Sequence, residues 1–145
     1  MIRIRDIDKT PDLLKALEDE KERILSLVGA FLEDQIKKTI SHGRAEWPPL
    51  SPETIKRKGS SKPLLDTGHL RDSITHKVEG NAVKVGVFGE EAIIAAVHEF
   101  GTTRAGRGHK VVIPARPFIR PTFDENIQEV EKIVGREVEK VIRRL

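Results

Sequence analysis

The stretch VHEFGTTRAGRGHKVVIPARPFIRP, Val97–Pro121, decides how this chain is organised. An apolar pattern with helical spacing stops at Gly101, a loop of Thr, Arg, Gly and His follows, and a short β-branched run comes next. Pro114 and Pro117 then bracket Arg116, and because proline lacks a backbone donor, the last strand is expected to end there. The stretch therefore predicts a helix, an irregular basic loop, a strand and a final helix.

Apolar residues at three- and four-residue steps predict a long helix on either side of this stretch. The first has Thr10 as its N-cap and extends to Ser41, with a charged run at 18–23 that predicts an outer part standing clear of the core. The second begins with a capping box formed by Thr122 and Glu125. The two apolar stripes are Leu13, Leu17, Ile24, Val28, Phe31, Leu32, Ile36 and Ile40 in the first helix, and Phe123, Ile127, Val130, Val134, Val138, Val141 and Leu145 in the second.

Alternating apolar and polar residues predict a β-hairpin between the long helices. The runs 74–78 and 83–87 flank Gly80-Asn81, a two-residue turn signal, which pairs His76 with Val85 on the inward face. Val111 and Ile113 predict a third strand.

Short helices are expected between these elements. Ser51 caps one that Gly59 closes, and Thr67 caps another in which Leu70 and Ile74 share a face. A further helix follows Gly89, with a predicted buried stripe of Ile93, Ala96, Val97 and Phe100.

The predicted class is α+β: a small antiparallel sheet, made of the hairpin and the third strand, packed against long helices in the N- and C-terminal parts. We expect one domain, 1–145, with an N-terminal arm at 1–9 and extended or flexible loops at 42–64 and 101–110.

Composition narrows the function classes. The 145 residues carry a net charge of +3 with 34% charged residues, which is typical of a soluble, mildly basic domain. The chain has no cysteine, so disulfide bridges and thiolate metal sites are excluded. No apolar run approaches the roughly 20 residues that a membrane-spanning helix needs. The N-terminus lacks a signal-peptide core, so we expect the chain to stay in the compartment where it is made.

Catalytic patterns are missing from the sequence. His98 and Glu99 are adjacent and point to different sides of a helix, and the HExxH spacing is absent. No serine lies in a G-x-S-x-G elbow, and the glycines of GTTRAGRG lack the Lys-Ser/Thr pair of a phosphate-binding loop. We expect His76 to be a hydrogen-bonded core histidine and His98 to lie at the surface or an interface. No catalytic residue, metal or cofactor is predicted.

The loop after Gly101 is the most basic irregular segment. Its cations are Arg104, Arg107, His109 and Lys110. They fit either a solvated loop or an arm that contacts a partner. Aromatic residues sit apart from the basic runs, so a base-stacking platform for sequence-specific nucleic-acid recognition is not expected.

Four short segments in fixed order resemble one family. They are WPPLSPETIKRK, PLLDTGHLRDSI, VHEFGT and IPARPFIRP. Together they resemble the tailed-phage virion morphogenesis proteins, and the last two are also similar to the tail-completion family of siphophages. The motif residues look architectural: Trp47, Leu65, Asp66, Thr67, Gly68, Leu70, Glu99, Phe100, Gly101, Ala115, Arg116, Pro117 and Phe118. Within this motif Arg116 is either a surface arginine or the partner of Glu99 or Asp66.

The resemblance implies a non-enzymatic structural protein of a phage or prophage. Such proteins lie at the virion neck, where they complete the tail and join it to the head as a ring, of six copies by the resemblance, after assembly in the host cytoplasm. Expected partners are other neck and tail proteins, with at most non-specific contact to passing DNA and no membrane. The alternatives are a basic nucleic-acid-binding module and, less favoured, a hydrolase using His98 and Glu99.

Overall fold

The computed structural model describes residues 8–65 and 68–145. Most of the expected N-terminal arm, residues 1–7, lies outside the described residues, as do Asp66 and Thr67 of the motif. The predicted cap by Thr67 falls there too.

The described chain confirms the α+β class, with a long helix at each end. In chain order the elements are α1 Thr10–His42, α2 Pro52–Lys58, α3 His69–Ser73, β1 Thr75–Glu79, β2 Ala82–Gly86, α4 Ala92–Phe100, β3 Thr102–Ala105, β4 Val111–Ile113 and α5 Arg120–Arg143.

The helices α1 and α5 pack side by side in antiparallel orientation. The hydroxyl of Thr39 hydrogen-bonds that of Thr122 (2.7 Å) near the end of α1, while Lys9 at its start donates to the carbonyl of Leu145 (3.0 Å). The buried residues of α1 begin at Ile24, which confirms that its first part stands clear of the core. The core lies where the C-terminal half of α1 meets the start of α5, and it comprises Ile36, Ile40, Trp47, Leu64, Ile74, Ala95 and Phe118.

The β1–β2 hairpin has the predicted register, with His76 opposite Val85 and Val78 opposite Val83. These side chains are half-buried while the residues between them in each strand, Lys77 and Lys84, are exposed, which confirms the inward face. His76 Nδ1 hydrogen-bonds a carboxylate oxygen of Glu33 on α1. The predicted hydrogen-bonded histidine is therefore confirmed, although it is only half-buried.

Gly29 is the point on α1 where the hairpin lies closest. A Cβ atom there would lie 2.5 Å from His76 Cδ2 and 2.7 Å from Val83 Cγ2. No sequence pattern indicated this contact, because Gly29 is one more small residue within the apolar spacing of the helix. Because Gly29 has no side chain, the β1–β2 hairpin can pack directly against the backbone of α1.

We expect Gly29→Ala to destabilise the fold by about 1–3 kcal/mol, because the added methyl group overpacks the helix–hairpin contact. Gly135 in α5 is the matched control, since nothing lies within 4 Å of a Cβ there. Gly135→Ala is expected to stabilise the chain by up to about 1 kcal/mol through helix propensity alone. Urea denaturation of both variants measures the difference, and the same sign for both would contradict the close approach.

The strand Val111–Ile113 does not join the β1–β2 hairpin. It pairs with β3, so the structure has two separate two-stranded sheets where one three-stranded sheet was expected. The segment 101–110, predicted as an extended or flexible loop, thus includes a strand. Gly106 and His109 adopt positive φ angles between the strands, and this lets the chain reverse and pair.

The predicted buried stripe of α4 is wrong. Ile93 and Phe100 are 73% and 79% exposed, Ala96 is exposed and Val97 is half-buried, while the buried residues of α4 are Ala95 and Glu99. The reason is that the inner side of α4 faces the backbone at the start of α5, which needs a hydrogen-bond acceptor rather than an apolar side chain.

Two predicted caps are also wrong. Thr122 lies inside α5 and its hydroxyl donates to the carbonyl of Phe118 (2.6 Å), so no capping box with Glu125 forms. Thr10 is the first residue of α1, and its backbone N–H donates to the carboxylate of Asp8 (2.9 Å). By contrast, Ser51 caps α2 as expected, accepting from the N–H of Thr54 (3.2 Å).

The apolar stripe predicted for α5 is only partly covered. Val141 is buried and Val130, Val134 and Val138 are half-buried, but Phe123, Ile127 and Leu145 remain exposed.

Candidate functional site

Glu99 joins α4 to α5. One of its carboxylate oxygens accepts hydrogen bonds from the backbone N–H groups of Phe118 (2.7 Å) and Ile119 (3.0 Å), and the other accepts from that of Arg120 (3.0 Å). The first N–H groups of a helix lack partners within it, and a negative charge at this end is favoured by the helix dipole. The buried carboxylate of Glu99 therefore caps α5 from another element.

The segments VHEFGT and IPARPFIRP are also joined through their backbones. The N–H of Arg116 donates to the carbonyl of His98 (2.7 Å). Gly101 ends α4 with φ +74°, its N–H donating to Val97 (2.7 Å), and the chain there runs close to Ile113 and Ala115. The two halves of the motif thus form one structural unit.

Arg116 fixes the WPPL segment to this unit. It is 5% exposed, and its guanidinium donates to the carbonyls of Pro48 (2.7 Å) and Pro49 (3.1 Å). The indole N–H of Trp47 donates in the reverse direction, to the carbonyl of Pro117 (2.8 Å). Both proposed roles for Arg116 within the described residues are therefore wrong: it is not a surface arginine, and the Glu99 carboxylate is bonded to α5 instead. The Asp66 alternative falls outside the described residues.

The other motif residues divide between packing and exposure. Phe118 is fully buried in the core, and Leu65, Leu70 and Pro117 are half-buried. Gly68 is buried and precedes α3 with φ +84°. Ala115 and Phe100 are exposed.

The basic residues after Gly101 lie on a projecting β-hairpin. We call residues 102–113 the hairpin arm. Its cationic side chains are all exposed and, within the described chain, none of them forms an ion pair: Arg104, Arg107, His109 and Lys110. An isolated two-stranded hairpin is marginally stable in water, so this arm gains from a surface that covers it.

Exposed apolar side chains surround the base of the hairpin arm. Val111 and Val112 on the arm are 55% and 65% exposed, and Ile94 and Phe100 on α4 are exposed beside them. Phe123 of α5 extends this surface along an apolar groove of about 520 Å³ whose floor includes Leu32 and Ile36. Large exposed apolar patches mark interaction surfaces. The sequence did not reveal this patch, because Phe100 and Phe123 fit buried helical stripes and Val111 fits a strand of the sheet equally well.

A second groove, of about 640 Å³, lies between α2, α4 and β4, and the exposed side chains of Ile94, Val111 and Val112 also line it. His98 lines it and is half-buried, with an Nδ1 atom that is buried and has no hydrogen-bond partner among the described residues. Burial lowers the pKa of His98, and the nearby positive charges of Arg116 and Lys58 lower it further. The imidazole is therefore neutral at neutral pH.

Both oxygens of the Glu99 carboxylate accept hydrogen bonds from backbone N–H groups at the start of α5. Among residues 8–65 and 68–145, no three His, Asp or Glu side chains come together as metal ligands would. None of the helices in the described chain combines the length and the apolar character that crossing a membrane requires.

Comparison with known proteins agrees with the sequence resemblance. Residues 2–139 match the phage virion morphogenesis family. The chain is 41% identical over 91 residues to the Mu-like prophage FluMu G protein 2 of Haemophilus influenzae, covering 63% of this chain and 59% of that protein. It is 34% identical over 136 residues to an uncharacterized protein of Methanocaldococcus jannaschii, covering 90% and 89% of the two chains.

No solved structure matches the fold. The family match spans almost the entire chain, including all of the joined motif segments. This chain belongs to the phage virion morphogenesis family, and its role lies in building a phage particle.

Proposed function

We propose that the protein is a non-enzymatic structural component of the virion neck, which completes the tail and joins it to the head as a ring. The observation that supports this most directly is the exposed apolar surface around the hairpin arm, in a member of a virion morphogenesis family. Such a surface is unfavourable in a free monomer and becomes favourable when neighbouring proteins cover it. The resemblance adds the ring of six and the place at the neck.

The contacts of the polar motif residues support a non-enzymatic role. Glu99, Arg116 and Trp47 all bond backbone groups of neighbouring segments, which holds the arm and α5 in position. The hydrogen-bonding groups of these side chains therefore serve to hold the fold together.

Deleting the coding sequence from a phage or prophage that carries it tests the proposal. Electron microscopy of the lysate is expected to show filled heads and separate tails, with joined particles restored by the wild-type chain. Replacing His98 by Ala is expected to leave joining intact, whereas a hydrolase using His98 would lose function. Normal joined particles in the deletion strain would refute a role in head–tail joining.

The second candidate is a basic nucleic-acid-binding module, favoured by the unpaired cations of the hairpin arm. Binding of duplex DNA at physiological salt, lost when Arg104, Arg107 and Lys110 are changed to Ala, would support it. The neck proposal predicts at most weak, salt-sensitive binding that does not depend on sequence.

A further inference from the structure

Charged side chains on the helices are mostly paired within the chain. Lys21 pairs with Glu18, Lys37 with Glu33 and Arg143 with Glu139, at the three- and four-residue steps that favour such pairs. The charges that stay without an ion pair among the described residues are unevenly placed: cations concentrate on the hairpin arm and α2, and three carboxylates lie on the first half of α1.

The cationic end consists of the hairpin arm and α2. Arg104, Arg107 and Lys110 on the arm are exposed and form no ion pair with any described residue, and the same holds for Lys56 and Arg57 on α2. Arg57 and Val112 line the same groove, so α2 and the arm lie together. The unpaired carboxylate within these two elements is Glu53 alone, as far as the described residues show, which leaves this end strongly positive.

The acidic end is the first half of α1. Asp12, Asp19 and Glu22 are exposed and have no ion pair or hydrogen bond in the described structure. Their spacing of seven and three residues places the carboxylates along one side of the helix. We call them the acidic stripe; Lys15 is the one unpaired cation beside them in the described part of α1.

One copy cannot bring its own two ends together. The arm is held by Arg116 to the segment just beyond the C-terminal end of α1. From Asp19 to Ile40, at the core end, α1 rises by about 32 Å. The acidic stripe is therefore far from the arm of the same chain and available to another molecule.

We propose that the hairpin arm of one copy lies along the acidic stripe of the next copy. This rests on the proposed ring, and it names the surfaces that form it. The stripe from Asp12 to Glu22 spans about 15 Å of helix. The strand Thr102–Ala105 spans about 10 Å, and the turn that carries Arg107 extends the arm beyond it. Because the two surfaces differ, the contact repeats head to tail and closes into a ring when the rotation permits.

A DNA duplex would also attract the cations of the arm. It would leave the acidic stripe unexplained, because carboxylates repel phosphates. A second copy pairs the cations of the arm and the carboxylates of the acidic stripe in one contact.

Reversing the charges at both ends distinguishes a second copy of the chain from a DNA duplex as the partner of the arm. One variant carries Arg104→Glu, Arg107→Glu and Lys110→Glu, and another carries Asp12→Lys, Asp19→Lys and Glu22→Lys. Each is expected to lower the yield of joined particles by at least about tenfold, because like charges then face each other. The chain carrying both sets of changes is expected to recover most of the yield. If the combined variant stays as defective as the arm variant, the arm binds something other than α1 and the inference is wrong.

A disulfide test reports the contact independently of joining. The chain has no cysteine, so Asp19→Cys combined with Arg107→Cys supplies the only thiols. After oxidation of assembled particles, a non-reducing gel is expected to show a ladder beyond the dimer, which neither single-cysteine variant gives. If particles need the protein but no ladder forms, this inference fails alone. If deletion leaves joining normal, the neck proposal fails, and a ladder from the concentrated purified chain still supports the contact between copies.

Discussion

Replacing Glu99 by Ala is expected to destabilise the protein by about 3–5 kcal/mol, because three backbone N–H groups at the start of α5 lose their acceptor in a buried place. Phe118, Ile119 and Arg120 would keep their donors with no carboxylate oxygen in reach. The favourable charge at the positive end of the helix dipole is lost as well. For a chain of this size, the melting temperature should fall by roughly 10 °C or more.

Thermal and urea denaturation measure this effect, with Glu131→Ala as the control. Glu131 lies on α5, the helix that Glu99 caps; it is exposed and has no ion pair within the described chain, so its loss should change stability by less than about 0.5 kcal/mol. Glu99→Gln keeps the shape of the side chain but turns an amide NH₂ group toward the backbone donors. Its loss of stability should therefore lie between those of Glu99→Ala and Glu131→Ala. Equal stabilities of Glu99→Ala and Glu131→Ala would show that the cap contributes nothing.

The role of Glu99 shows that apolar periodicity predicts a helix but not which of its sides is buried. The spacing of apolar residues predicted α4 itself and the correct register of the β1–β2 hairpin, because both depend on neighbours in sequence. Which side of α4 is buried depends on what the helix packs against. The inner side of α4 packs against the first N–H groups of α5, which lie about twenty residues further along the chain, so the spacing within α4 could not predict it. The signal available in the sequence was Glu99 itself, a charged residue in the largely apolar segment AIIAAVHEF.

The hairpin arm shows the same limit. Gly, Arg and His in sequence favour a loop, and Thr102 and Thr103 were the only β-branched residues that hinted at β3. Pairing with β4 depends on Gly106 and His109 taking positive φ angles, which the sequence permits but does not require. The resemblance predicted an architectural role for the motif residues, but it did not predict their bonds, such as that of Arg116 to the carbonyl of Pro48, which depend on how distant segments pack.

Replacing Gly101 by Ala is expected to cost about 3–5 kcal/mol, the sum of a strained backbone and overpacking. Gly101 has φ +74°, which L-residues rarely adopt, and a Cβ atom would lie 2.8 Å from the backbone nitrogen of Ala115 and 2.9 Å from the carbonyl oxygen of Ile113. Backbone atoms cannot rotate away as side chains do, so α4 and the segment after β4 must separate.

That separation would also move the base of the hairpin arm, so Gly101→Ala should abolish head–tail joining even at temperatures where the long helices remain folded. Gly108→Ala, at the tip of the same arm, meets nothing within 4 Å and has no positive φ to strain. It should leave stability within about 0.5 kcal/mol and joining unchanged. Denaturation curves, together with counts of joined particles, separate the two variants. If Gly101→Ala behaved like Gly108→Ala, the close passage of the chain at Gly101 would not be what positions the arm.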